Sequence, residues 1–128
     1  MVMTTPHATN HGALATLASR YVDVESLPWT PTRFKGVEMK VLMEDKETGL
    51  STALMRFAPG ATLPDHEHVE LEQTFVLQGS LEDQEGVATA GNYVWRPAGS
   101  RHDARAPNGC LALSFFLKPN KFFDTPPR

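Results

Sequence analysis

The sequence predicts an all-β domain, a sandwich or barrel of short antiparallel strands. Two observations predict it. Short runs of strand-forming residues recur at close, even spacing, and Gly and Pro punctuate them. Some of these runs alternate apolar and polar residues with a period of two, which suits one buried face. A length of 128 residues with 41% hydrophobic content bounds the chain to a single domain with an ordinary core.

Residues 1–21 read as an N-terminal extension, partly flexible or forming a short helix. Ala13 to Tyr21 is the helical stretch, with Asn10 as its cap. His7 and His11 have helical i, i+4 spacing, and the plainer reading is a frayed terminus. The main domain is expected over 22–118 and a C-terminal tail over 119–128. Leu27-Pro28-Trp29-Thr30-Pro31 cannot be helix interior, since its two prolines break the ladder; it reads as an extended lead-in that lays Trp29 on the core. Val37, Met39, Val41 and Met43 alternate with Glu38, Lys40 and Glu44 along a first strand. Asp45 to Gly49 supplies turn chemistry, and Leu50 to Phe57 is a second strand, stopped by Ala58-Pro59-Gly60-Ala61. Gln73 to Gln78 is a third, closed by Gly79. Leu81 and Val87 flank Asp83-Gln84-Glu85-Gly86, a hairpin signal. Tyr93 to Trp95, His102 to Arg105 and Cys110 to Leu117 complete the strands. Pro119, Pro126 and Pro127 end regular structure, while Phe122 and Phe123 are expected to pack on the domain.

Composition excludes several classes. A net charge of −3 and a pI of 5.9 argue against a nucleic-acid partner, which needs a basic footprint. No apolar run reaches bilayer length, so no membrane partner is expected. Cys110 is the only cysteine, which rules out an internal disulfide and favours a reducing compartment. The apolar stretch from Gly12 to Ala18 is short and lacks a preceding Lys or Arg, a poor signal peptide, so a cytoplasmic location is expected.

Four residues carry the chemistry: His66, His68, Glu72 and His102. They sit in two blocks, Gly60-(five)-His66-Glu67-His68-(three)-Glu72-(six)-Gly79 and Gly91-(five)-Pro97-Ala98-Gly99-(two)-His102. On a strand, residues two apart point to one side, so His66 and His68 project together. Glu72 begins a run in which Thr74 and Val76 share its face. His102 comes 30 residues after Glu72 and must arrive on another strand. Three nitrogens and one carboxylate oxygen form a borderline donor set that suits one divalent metal ion per chain: Fe, Zn, Ni or Mn, with Fe or Zn favoured.

This spacing resembles the two motifs of the cupin superfamily. Every fixed position of the first motif is present, and Gly91, Pro97, Gly99 and His102 match the second. The family's downstream Asn is absent, and Ala106 stands there. Residues from about 22 to 117 further resemble the ChrR-like branch, through Leu27–Pro31, Leu54–Gly60, Phe75–Gly79 and Pro97–His102. The resemblance implies an RmlC-like jelly-roll barrel, a double-stranded β-helix of two antiparallel sheets, and commonly a homodimer. It implies His66, His68, Glu72 and His102 as metal ligands. Small members of this neighbourhood include non-haem iron dioxygenases that cleave diketones or hydroxyacetophenones. The expected function is therefore a metal-dependent dioxygenase acting on a small carbonyl or phenolic compound, with the metal centre itself as the catalytic group. The alternative is a non-catalytic ChrR-like zinc cupin that senses a small ligand or redox state. The anti-sigma factor typifying the branch has an N-terminal helical domain with Cys ligands. The residues preceding the resemblance here hold no cysteine, so a direct sigma-factor inhibitor is not expected.

Other residues have two readings each. Arg56 is either a cationic anchor inside the barrel or a snorkelling surface residue. Tyr93, Trp95 and Phe116 line a substrate cavity or are ordinary strand aromatics. Gln73 or Thr74 could orient a ligand. Cys110 reads as a small buried hydrophobe.

Overall fold

A computed structural model describes residues 3–123; Pro126 and Pro127 lie outside them. The strands are β1 (Met3–Thr4), β2 (Thr30–Pro31), β3 (Val37–Asp45), β4 (Leu50–Phe57), β5 (Ala61–Glu67), β6 (Glu72–Glu82), β7 (Val87–Thr89), β8 (Tyr93–Arg96), β9 (Arg101–Ala106), β10 (Cys110–Phe116) and β11 (Lys121–Phe122). Among the described residues the only helical element is a 3-10 turn at Val24–Ser26. All pairings are antiparallel. One sheet runs β1-β3-β4-β10-β6, with β2 on β3 and β8 on the far side of β6. The other contains β7, the end of β6, β9, β5 and β11. The chain is an all-β jelly roll, as expected.

β6 belongs to both sheets, and Gly79 is where it passes between them. Its φ of +71° favours glycine, and a Cβ there would lie 2.1 Å from the carbonyl oxygen of Gly109. The backbones can approach this closely only because no side chain intervenes.

Period-two burial aims the interior. Along β6, Glu72, Thr74 and Val76 are buried, along β9 His102, Ala104 and Ala106, and along β10 Cys110, Ala112 and Ser114. The apolar cluster (Val37, Phe57, Val76, Leu81, Ala106 and Ala112 among it) forms the core, and several of its members share a cavity wall with His66, Glu72 and His102. Cys110 belongs to that cluster, and burial pushes its thiol up to about 11.

Several expectations need correction. Ala13–Tyr21 forms turns instead of a helix, and His7 and His11 do not share a helical face. Met3 and Thr4 instead pair with Asp45 and Glu44, and His11 Nε2 lies 3.0 Å from the Tyr21 carbonyl oxygen. The period of β3 breaks at a bulge between Val41 and Met43, so the regular alternation through Met43 fails. Lys40, expected to face solvent, is buried because the lead-in covers it; its Nζ donates to the Val24 carbonyl at 2.9 Å. Trp29 packs outside the barrel, not on the inner core, with the Arg56 guanidinium 4.1 Å from its ring centroid. Leu27 is the buried anchor of that segment. Pro119 does not end regular structure, since β11 follows it and pairs Phe122 with His66.

Candidate metal centre

β5 and β9 place His66 directly opposite His102. His68 lies just beyond β5 and is clamped by the turn that precedes β9. The Gly99 N–H donates to the His68 carbonyl at 2.7 Å, and the His68 N–H donates to the Ser100 carbonyl at 2.8 Å. Gly99 makes this turn at φ +88°, which explains the glycine of the second sequence block. The three rings stand 4.6 to 5.0 Å apart, centroid to centroid, and all are buried.

The hydrogen bonds fix the tautomers. His66 Nδ1 lies 2.8 Å from the Pro64 carbonyl oxygen, which can only accept, so Nδ1 carries the proton. His68 Nδ1 donates likewise to the Ser100 carbonyl at 3.1 Å. His102 Nδ1 donates to Asp83 Oδ2 at 2.8 Å. Burial opposes ionisation of Asp83, but the N–H of Glu85, the Arg96 guanidinium and the N–H of Gly86 hold its carboxyl below the usual range. Each ring therefore offers Nε2 as a lone pair.

These lone pairs converge. His102 Nε2 is 3.2 Å from His68 Nε2, and Glu72 Oε2 is 3.3 Å from the same nitrogen. Three acceptor atoms face one another with no protein donor between them, an arrangement that fits a cation. Two nitrogens each about 2.1 Å from one ion lie roughly 3.0–3.4 Å apart at bond angles of about 90–110°. The three histidines alone bring ligand atoms within 4.8 Å of one another, so they could hold a metal ion. Glu72 borders this group by touching His68. Asn120 Nδ2 donates to Glu72 Oε2 at 3.1 Å, and Thr74 Oγ1 donates to Oε1 at 3.3 Å. Burial resists ionisation of Glu72, yet its carboxyl is held below its ordinary range, with Asn120 and Arg96 favouring the charged form.

Beside these groups lies a cavity of about 310 Å³ inside the barrel. His66, Glu72 and His102 form part of its wall, and Met39, Met55, Phe57, Leu63 and Phe116 are among its apolar lining. Phe122 closes over His66 at 4.9 Å between centroids. A separate open depression of about 510 Å³ lies beyond Arg96 and His102, against the 83–88 hairpin.

Thr74 and Phe116 line the cavity. Arg56 does not. It is on the outer face, paired with Glu38 at 2.6 Å, because strand alternation directs it away from the barrel. Tyr93 and Trp95 also point outward, 50% and 59% exposed, and Tyr93 donates to Gln73 at 2.8 Å. Gln73 therefore does not orient a ligand. Reading the sequence alone missed Asp83, Arg96, Asn120, Ser100 and Ser114. Asp83 was legible only as a turn residue, and it is one: its Oδ1 accepts the N–H of Glu85 and Gly86 while Oδ2 holds His102.

Burial drives the imidazole of His102 down to about 4, with Arg96 adding to the effect, and burial also lowers His66. A His whose folded pKa is depressed contributes stability that is present above the unfolded value and lost as pH falls. Metal-free protein should therefore lose stability between pH 6.5 and about 4, with His102 accounting for on the order of 3 kcal/mol. Chemical denaturation across that window checks this; a flat profile would contradict it.

Residues 17–119 match the ChrR cupin-like domain family. The chain is a ChrR-like cupin. No curated protein sequence matches it. Among solved structures, this cupin is similar to an acetylacetone dioxygenase from Acinetobacter johnsonii, with 23% identity, 91% of this chain and 85% of that chain covered, and a TM-score of 0.74. It is also similar to an RmlC-like cupin from Ralstonia eutropha JMP134, at 22% identity, 84% and 73% coverage, and a TM-score of 0.76. At those identities the likeness concerns the fold. The Rhodobacter sphaeroides complex of SigE with the anti-sigma ChrR matches at 27% identity over 73% of this cupin and 51% of that chain, with a TM-score of 0.63. No helix among the described residues is long and apolar enough to cross a membrane.

Proposed function

We propose that this cupin is a metal-dependent dioxygenase acting on a small carbonyl or phenolic compound, with His66, His68, His102 and Glu72 holding one divalent ion. The observation that carries this reading is the apolar cavity of about 310 Å³ opening onto the convergent imidazoles, which leaves room for a ligand beside the donors. An ion held there, iron or zinc before nickel or manganese, would supply Lewis acidity and, if iron, redox chemistry toward oxygen. The chain's own residues do the rest. Pro64, Ser100 and Asp83 hold the three rings in the ligating tautomer. Thr74 and Asn120 orient the Glu72 carboxylate. Met55, Phe57 and Phe116 exclude water and accept a carbon skeleton. The fold shared with the Acinetobacter acetylacetone dioxygenase supports the same substrate class.

Anaerobic reconstitution with Fe(II), followed by oxygen-consumption assays on diketones and hydroxyacetophenones, tests it. Substrate-dependent oxygen uptake is expected. No uptake on any substrate, together with a tightly held four-coordinate zinc, would overturn it. That outcome would favour a second reading, a non-catalytic sensing module, for which the ChrR-like family match is the motivating observation.

A homodimer belongs to the same proposal, as does a cytoplasmic location. Phe75, Leu77, Tyr93, Trp95 and Phe115 crowd one outer sheet face on the adjacent strands β8, β6 and β10, each 37–59% exposed. Such a self-complementary apolar patch suits a twofold contact. Light scattering should return a dimer mass for the wild type and a monomer for Trp95→Lys; a monomeric wild type would refute the contact.

A further inference from the structure

We propose that Arg96 is an anion anchor inside the barrel, and that the ligand is a small, mostly apolar molecule with one anionic oxygen, as a carboxylate, enolate or phenolate. This rests on the proposed use of the barrel cavity as the ligand site. Among the described residues Arg96 is the only Lys or Arg lining that cavity, and it also borders the outer depression. It lies on the inward face of β8, directly across from Glu72 on β6, while its neighbours Tyr93 and Trp95 point outward. The residue is 9% exposed, so its charge is held in a largely protein environment.

The guanidinium has unused capacity. Among the described residues the Arg96 side chain makes one hydrogen bond, from Nη1 to Asp83 Oδ2 at 2.7 Å. Five N–H groups are available on a guanidinium. Among the described residues no sealed side-chain nitrogen or oxygen lacks a partner, so the remaining Arg96 nitrogens reach open space. Asp83 spends Oδ1 on backbone N–H groups and shares Oδ2 between Arg96 and His102. Arg96 is thus fixed at one corner by a residue that also fixes a histidine. An anion seated on its free edge would lie beside the imidazole group, with its apolar body against Met55 and Phe116. A planar fork that accepts two oxygens of a carboxylate suits this task.

Two probes of equal size and different charge, hexanoate and hexanamide, test it by NMR titration at pH 7.5. Metal-free wild type should bind hexanoate about tenfold more tightly or better. Nuclear Overhauser contacts should run from the hexanoate chain to the Met55 methyl. The paired variant Arg96→Gln/Asp83→Asn leaves no lone buried charge and should lose the preference, while Arg96→Lys should keep part of it. Equal affinities in the wild type, a preference that survives the paired variant, or contacts to Val87 in the outer depression would each overturn the anchor. A preference seen only in Zn(II)-loaded protein would make the ion the anion receptor; the anchor would then fall and the proposed function would stand. A metal-free preference in a protein that retains no metal would support the anchor and sink the metal chemistry.

Discussion

Replacing His68 with alanine should reduce bound metal from about one ion per chain to less than about a tenth of that, measured by elemental analysis after dialysis. His68 is the hub of the convergence. Its Nε2 lies 3.2 Å from His102 Nε2 and 3.3 Å from Glu72 Oε2. Without that ring only His66 and His102 remain close together, and a divalent ion would be left with too few protein contacts to hold it. Glu72→Gln should cost less metal than His68→Ala, because the three imidazoles form a compact group without the carboxylate. Equal losses for the two variants would show that the carboxylate is as essential as the rings. In the metal-free state His68→Ala should change unfolding free energy by no more than about 2 kcal/mol, because the apolar cluster carries the fold. A collapse of thermal stability on chelating the wild-type metal would show the ion to be structural instead.

Gly79→Ala should strongly destabilise the fold. Its Cβ would sit 2.1 Å from the Gly109 carbonyl oxygen and 2.9 Å from the Gly109 carbonyl carbon. Both are backbone atoms of the opposing segment, so relief needs a shift of β6 against β10. The residue also has φ +71°, which alone costs an alanine about 1–2 kcal/mol. The sum should reach about 3 kcal/mol or more, a fall of roughly 10 °C in Tm. Gly91→Ala is the matched control. It has φ +84° with nothing within 4 Å of an added Cβ, so it should show the dihedral cost alone. If both variants lose the same stability, the close approach at Gly79 carries no energetic weight.

How much of this was legible follows from which interactions are local. The inward facing of His66, Glu72 and His102 was readable because side-chain direction on a strand has a fixed period, whereas His68 lies just beyond β5 and is set by the turn at Gly99 and Ser100. The same period placed Thr74 and Val76 on the Glu72 face, where both are found buried. The Asp83–Gly86 hairpin was readable from turn chemistry, and it joins β6 to β7. The match of residues 17–119 to the ChrR cupin-like domain agrees with the motif resemblance.

The failures trace to packing and register, which lie outside the local sequence. Ala13–Tyr21 had a cap but too few residues to hold a helix without packing, and short helices are marginal in water. Arg56 was ambiguous because its facing depends on the register of β4, which the bulge in β3 and the partners on both sides set. Tyr93 and Trp95 share a period with Arg96 but sit on the opposite phase, and only the pairing of Arg96 with Glu72 tells which phase is inside.

The sequence by itself determined the strand-rich class, the three histidines that come together and the turns that deliver them, since these depend on periodicity and on glycine and proline geometry near each residue. Only the tertiary structure decided that Asp83 supports His102, that Asn120 and Phe122 return from the chain's end to close on the site, and that Arg96 faces the cavity. Those contacts join residues between 13 and 56 positions apart, from Asp83–Arg96 to His66–Phe122, and sheet register, rather than local preference, brings them together.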